Sequence, residues 1–405
     1  MVRVPASSQL PRLRYGRTLK TMIAERVMTE APMRICPICG LFKAVLRCPN
    51  DGATLLEPTW IQATQRLREE GEILGGRYVV EDDLAVGSSG RVYLARDHVT
   101  GRRVALKLLA VDPEVATESA IDRMLEEAKA AASLTSTHTA SIYDIGSDEG
   151  APFLVMERVE GRSLNDLLEL LRKKHRKLTV DAACELAAGV LRSLAEAHEA
   201  GLVHRNLSPA HLMLAHTGCG ELTVRLLGFG SVRSDGGRLT RDGMVATPAF
   251  MSPEQVQNQP LDGRSDLYSL GVVLYRSVSG KLPFVHKEGY GLMKMHVETE
   301  AEALELQGDF GPQFARFIQR MLAKKPANRH RTALDALVTL QAITGRRLHA
   351  VPHLATLDSE LEDGFGDHLV DSSGKPSDFL DAKTNVYGIS PIARVGPGKE
   401  LDRVD

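Results

Sequence analysis

Hydrophobic and polar positions change period several times along the chain. In "RYVVEDDL", "GRVYLARD" and "RRVALKLLA", β-branched and aromatic residues are bounded by glycine or charged turns, which predicts short strands. "ESAIDRMLEEAKAAASL" switches to the helical period, with Ile121, Leu125, Ala128 and Ala132 on one face. "SIYDIGS" and "PFLVMERV" return to strand character. From Ser163 onward the pattern is mostly helical, through "LNDLLELLRK", "DAACELAAGVLRSLAEAHEAG", "SDLYSLGVVLYRSVSG" and "FARFIQRMLAK". A small sheet with one helix, followed by a helical bundle, predicts an α+β, two-lobed domain over residues 73–347.

The periodicity fades on either side of that stretch. Residues 1–32 place Arg3, Arg12, Arg14, Arg17 and Lys20 ahead of the first acid, Glu25. This is a basic leader without the apolar segment of an export signal, expected to be disordered, and Met22, Met28 and Met33 are equally eligible starts. Residues 59–72 are charged and predict a helical linker. Residues 348–405 accumulate acids (Asp358, Glu360, Glu362, Asp363, Asp367, Asp371, Asp378, Asp381) with Gly, Ser and Pro between them. Such a composition buries too little apolar surface to offset chain entropy, so an acidic disordered tail is expected.

Composition narrows the functional classes. The 405 residues carry a formal net charge of −2, with 25% charged and 43% hydrophobic residues, which gives no reason to expect nucleic acid as the main partner. No uninterrupted apolar run reaches the length of a membrane span. With neither a span nor an export signal, the cytoplasm is the expected compartment. Three of the five cysteines are clustered and two are isolated, which suits a reducing environment better than a disulfide framework.

The clustered cysteines lie in residues 33–58. "CPICG" at 36–40 and "CPNDG" at 48–52 are two loops of the form Cys-Pro-x-x-Gly, each turned by its glycine. Zinc prefers four tetrahedral ligands, with thiolates the favoured protein donors. Cys36, Cys39 and Cys48 supply three, and Asp51 stands where the fourth would be, a harder oxygen donor. The segment resembles the zinc-ribbon knuckles of bacterial multidomain proteins, in which the last ligand varies. A module this small has almost no core, so metal would supply most of its folding energy. Ordinary loop cysteines are the alternative. An open fourth position would also suit hydrolysis, although no general base lies nearby.

The large domain resembles a eukaryotic-like serine/threonine protein kinase of the bacterial type, through several anchors in the right order. "LAVGSSGRVYLARD" is similar to the phosphate-covering glycine loop, with Gly87 and Gly90 at its second and third glycines and Ala85 at the first. Backbone amides approach a triphosphate closely only where no Cβ intervenes. In "VALK" the resemblance makes Lys107 the α/β-phosphate lysine and puts Ala105 over the adenine. In "MLEEAKA" it makes Glu127 the helix partner of that lysine, with Glu126 the competing candidate. "FLVMERVEGRSL" resembles the hinge, with Met156 at the back of the pocket and Glu157 to Val159 offering backbone hydrogen bonds. Leu84, Val92 and Met213 would complete an apolar slot for a flat base. "ATPAFMSPEQ" resembles the end of the activation segment, with Thr247 facing substrate and Glu254 closing it onto Arg329. In "SDLYSLG", Asp266 is expected to brace the catalytic-loop backbone.

The catalytic loop itself departs from the family. Such kinases read His-Arg-Asp-Leu-Lys-Pro-x-Asn, whereas "HRNLSPAHLML" keeps His204, Arg205, Leu207 and Pro209 but has Asn206, Ser208 and His211 at the working positions. Gly228-Phe229-Gly230 replaces Asp-Phe-Gly. Asn206 is no base at neutral pH, and a positioned base is typically worth about 10²–10⁴ in rate. Ser208 is neutral and too short to clamp the transferring phosphate. His211 offers nitrogen where Mg²⁺ wants hard oxygen, and Gly228 offers no side chain. Asp235 and Asp242, in the Gly-rich "SDGGRLTRDG", are the only nearby acids by sequence.

The expectation is therefore a regulatory or scaffolding pseudokinase that binds protein partners, such as an active kinase or signalling protein. It would bind ATP, if at all, with little need of Mg²⁺. Two alternatives stay open: an atypical or weakly active serine/threonine kinase, and a protein whose main role is docking through the zinc module.

Overall fold

A computed structural model describes residues 34–35, 42–43, 68–87, 90–109, 118–148, 151–216, 222–229 and 248–345. Strands β1 (Arg34–Ile35) and β2 (Phe42–Lys43) pair antiparallel, on either side of the stretch that carries Cys36 and Cys39. Cys36, Cys39, Cys48 and Asp51 lie outside the described residues, as do the leader, the acidic tail and residues 230–247.

The first lobe is a six-stranded antiparallel sheet. Its strands are β3 (Ile73–Leu74), β4 (Tyr78–Gly87), β5 (Gly90–Asp97), β6 (Arg103–Leu109), β7 (Ile142–Asp148) and β8 (Ala151–Glu157). They lie in the order β3-β4-β5-β6-β8-β7. Side chains of a strand alternate between faces, and β6 is buried on both. Val104, Leu106 and Leu108 enter one core with Tyr78, Val80, Tyr93 and Phe153. Ala105 and Leu109 enter another with Val92, Leu154 and Met156. Register shifts in the β4–β5 ladder fall between Val80 and Asp82 and between Asp83 and Ala85. The second of these bulges lets both Leu84 and Ala85 reach the same apolar cluster.

The lobe begins earlier than the predicted boundary at residue 73. Arg68 is buried and pairs with Glu72 at 2.6 Å and Asp148 at 3.0 Å, so residues 68–72 belong to the sheet's edge rather than to a linker. Helix α1 (Glu118–Ala132) is the single helix of this lobe among the described residues. Its inner face carries Ala128 and Ala131, and Ala132 is exposed. The expected face was therefore one residue out of phase at its C-terminal end.

The second lobe is helical, as expected, but it also holds a small sheet of β9 (Gly161–Ser163), β10 (Leu212–His216) and β11 (Leu222–Leu226). Gly161 lies opposite Ala215, and a Cβ there would sit 2.0 Å from the Leu214 carbonyl oxygen, so only glycine permits this pairing. Its helices are α2 (Leu164–Lys173), α3 (Val180–Glu199), α4 (Pro253–Val256), α5 (Gly263–Ser279), α6 (Gly289–Glu298), α7 (Gly311–Met321) and α8 (Ala333–Thr344). α3 and α5 are buried nearly all round and form the centre of one large core.

Capping explains where several helices start. The side chains of Ser163, Thr179, Asp262 and Thr332 each accept a backbone N–H from the first turn that follows. α5 and α8 end at Gly280 and Gly345, both left-handed. Among the described residues no helix is long and apolar enough to cross a membrane.

Candidate functional site

Alternation along β6 decides which side chains reach the cleft. Lys107 stands opposite Val92 on one side and Leu154 on the other, and both of those belong to the inner cluster. In that cluster Val92, Ala105, Met156 and Val159 meet Met213 and Leu227 of the second lobe, with Leu84 packed against them. The structure thus gathers Leu84, Val92, Ala105, Met156, Val159 and Met213 into one cluster and adds Leu227, which the sequence reading did not name. Gly87 and Gly90 pair across the end of the β4–β5 ladder.

Lys107 is 6% exposed, and burial lowers its pKa to about 8. Of the two candidate glutamates on α1, Glu126 points to solvent and pairs with Lys129 at 2.7 Å. Glu127 is half-buried, 3.4 Å from Arg205 Nη1. That contact ties α1 to the catalytic loop. The Lys107–Glu127 pair remains an expectation of the resemblance.

The hinge segment is held by a bond that sequence reasoning missed. The Glu157 carboxylate accepts a short hydrogen bond from Arg225 Nη2 and another from the Ser141 N–H at 3.1 Å. The Glu157 N–H is itself given to the Ser141 carbonyl at 2.8 Å. The Glu157 N–H is thus already used within the sheet. Arg225 became recognisable only once "LTVRL" was known to be a strand with alternating burial.

The loop from His204 to Leu214 is built around one buried carboxylate. Asp266, 1% exposed, accepts the N–H groups of His204 and Arg205, each at 2.8 Å, and lies 2.8 Å from His198 Nε2. Arg205 has φ +63°, at the centre of a three-residue turn closed by the Asn206 N–H on the His204 carbonyl at 2.8 Å. A non-glycine residue in that region is strained, and the surroundings must over-determine it. They do: Asp266 holds the amide side, and Gln255 Nε2 donates to the Arg205 carbonyl at 2.6 Å. A second brace lies behind. Arg329, 2% exposed, grips Glu254 at 2.6 and 2.9 Å and donates to the Arg264, Lys324 and Ala323 carbonyls. Burial alone would raise the Glu254 carboxyl, but Arg329 and Ser265 hold it below the usual range.

Three of the four changed positions converge, and the space between them is filled. His204 Nε2 donates to the Leu227 carbonyl at 2.8 Å. Its ring meets Phe229 and His211 edge-on, at centroid distances of 4.9 and 5.5 Å. Ser208 Oγ lies 3.0 Å from His211 Nδ1. Gly228 has φ +101°, and a Cβ there would sit 3.1 Å from His211 Cδ2 and 3.3 Å from His204 Nε2. Burial, then His204, then Lys107 press the His211 pKa well below the ordinary imidazole value. Burial also lowers His204, although Asp266 and the Leu227 carbonyl pull it upward. Two neutral imidazoles thus stand beside a buried ammonium, where a cation-binding centre would need carboxylates. Asn206, two residues before Ser208 in the loop, is half-buried.

Comparison with known proteins decides the family. The protein kinase domain model matches residues 78–339, well over half of the chain. This chain belongs to the protein kinase domain family.

Relatives of this kinase domain include a probable serine/threonine-protein kinase of Clostridium acetobutylicum, 28% identical over 328 residues that cover 81% of this chain and 48% of that protein. A probable serine/threonine-protein kinase of Streptomyces coelicolor is 34% identical over 284 residues, 68% of this chain and 41% of that protein. Serine/threonine-protein kinase PknL of Mycobacterium tuberculosis is 33% identical over 287 residues, 70% of this chain and 69% of its own. The chain spans about half the length of the first of these relatives. Among solved structures, the PknI kinase domain of Mycobacterium tuberculosis aligns with TM-score 0.54 at 22% identity, covering 69% of this chain and 100% of that domain. That likeness carries the fold alone. The kinase frame, with a β-rich first lobe and a helical second lobe, is thereby established.

Proposed function

We propose that this kinase domain is a pseudokinase, a regulatory or scaffolding module whose cleft takes ATP as a conformational ligand and does not transfer its phosphate. The observation that supports it is the packing of His211 and His204 against Gly228. Mg²⁺ takes hard oxygen donors in near-octahedral geometry. A neutral imidazole and a glycine do not fit it, and Asn206 cannot accept the substrate proton. The apolar slot and the buried Lys107 suit the base and the phosphates of a nucleotide, and nothing in that fit calls for a divalent ion.

Partners would be proteins, including an active kinase or another signalling protein, met in the cytoplasm. Zinc in the N-terminal module is likewise proposed, on the paired Cys-Pro-x-x-Gly spacing of Cys36, Cys39, Cys48 and Asp51.

The names of the relatives favour a second reading, an active serine/threonine kinase. Incubating the full chain with γ-labelled ATP, Mg²⁺ and general protein substrates separates the two. The pseudokinase incorporates no more label than its Lys107→Ala variant. Incorporation that Lys107→Ala abolishes would establish the active kinase instead.

A further inference from the structure

A dense run of positive charge lies on the helical lobe. From the last turn of α2 into the connection to α3 the chain reads Arg172-Lys173-Lys174-His175-Arg176-Lys177, six basic residues in succession and all exposed. The turn that presents them is well defined. The Arg176 N–H bonds the Leu171 carbonyl at 2.8 Å and the His175 N–H bonds the Arg172 carbonyl at 3.1 Å, the paired closure of a helix C-terminus. His175 occupies the left-handed position with φ +54°, where glycine is usual. Lys177 lays its stem beside Gly280, and Arg276 adds a further cation behind the turn. Glu169 is shared between Arg172 Nε at 2.9 Å and Arg276 Nη2 at 2.8 Å, and Asp181 lies in the first turn of α3. Like charges at this density repel one another and favour an anionic partner.

We propose that this turn docks the acidic segment 358–371 of the same chain. That segment carries Asp358, Glu360, Glu362, Asp363, Asp367 and Asp371 and no Lys or Arg. Arg172 is already paired with Glu169, and Lys173, Lys174 and Lys177 thus face six negative charges. Reach is sufficient. The described fold ends at Gly345, the cap of α8, and α8 packs against α3, whose N-terminus follows the basic turn. α3 has 20 residues and is about 30 Å long. Residues 346–357 span up to about 40 Å when extended. Docking lays the segment over the α2–α3 end of the helical lobe, so the interaction is independent of whether the cleft binds nucleotide.

Zero-length carbodiimide cross-linking of the full chain at low ionic strength, read by peptide mass spectrometry, tests the contact. The expected products are amide links from Lys173, Lys174 or Lys177 to carboxylates of 358–371 within one chain. They should fall at least fivefold in about 0.5 M NaCl, where charges separated by more than about 4 Å are screened. Neutralising the segment (Asp358→Asn, Glu360→Gln, Glu362→Gln, Asp363→Asn) should quicken tryptic cleavage at the turn at least threefold, while the folded lobes are untouched. Links that join two chains, links from the turn to other carboxylates only, or an unchanged cleavage rate would overturn the proposal.

Discussion

If His211 has taken the space beside position 228, a single methyl group at Gly228 should be costly, and the cost should depend on His211. In Gly228→Ala the new Cβ lies 3.1 Å from His211 Cδ2 and 3.3 Å from His204 Nε2, tighter than ordinary contact. Backbone at φ +101° adds to this, because an L side chain there costs about 1–2 kcal/mol. Together the effects should destabilise the domain by about 2–3 kcal/mol. At about 2 °C per kcal/mol for a domain of this size, Tm falls by about 4–6 °C. Removing the ring with His211→Ala relieves the closer contact and leaves the His204 contact and the backbone part. The methyl group should then cost about 1 kcal/mol less, a coupling well above the error of additivity, about 0.3–0.5 kcal/mol. Urea unfolding of the four proteins of this cycle, followed by far-UV circular dichroism, supplies the numbers. A neutral Gly228→Ala, or equal costs in both backgrounds, would refute the packing argument.

Other consequences are equally direct. Arg329→Ala strips a buried carboxylate of its partner and should cost about 3–5 kcal/mol by denaturant titration, with Arg329→Lys recovering only part. Restoring the four working positions together (Asn206→Asp, Ser208→Lys, His211→Asn, Gly228→Asp) should raise Mg²⁺-dependent labelling of a protein substrate by at least about 10², the lower worth of a general base. Gly228→Asp alone should raise it little, because His211 still fills the space. His296 is buried between Tyr268, Phe284 and Lys324, and burial lowers it to about 3. A histidine depressed in the folded state takes up its proton only on unfolding, so stability is lost as pH falls below about 6.5. Between pH 7 and 5.5 the loss should be about 1 kcal/mol smaller in His296→Asn than in the parent, read from paired urea titrations.

Much of this was legible in the sequence, for identifiable reasons. Strand character in "RRVALKLLA" is enough to put Ala105 and Lys107, two residues apart, on one face, and Lys107 therefore lands beside Val92 and Leu154. The braces Asp266 and Arg329 were named from ordered motifs and sit where those motifs imply. The phase of α1 was harder to read, because "AKAAA" is apolar at positions 128, 130, 131 and 132, and the period alone does not select one face. The β10–β11 hairpin was missed because its five-residue strands are short beside the helices on either side. The strain at Arg205 and the filling of the Gly228 space are properties of three segments meeting. No local pattern encodes them.

Binding of ATP to the full chain by titration calorimetry, once in EDTA and once in excess Mg²⁺, tests the central claim most directly. A cleft with His211 and Gly228 at its cation positions should bind ATP with the same Kd in both buffers, within about threefold, and release no phosphate over hours. Binding at least tenfold tighter with Mg²⁺, about 1.4 kcal/mol, together with phosphate release, would contradict it.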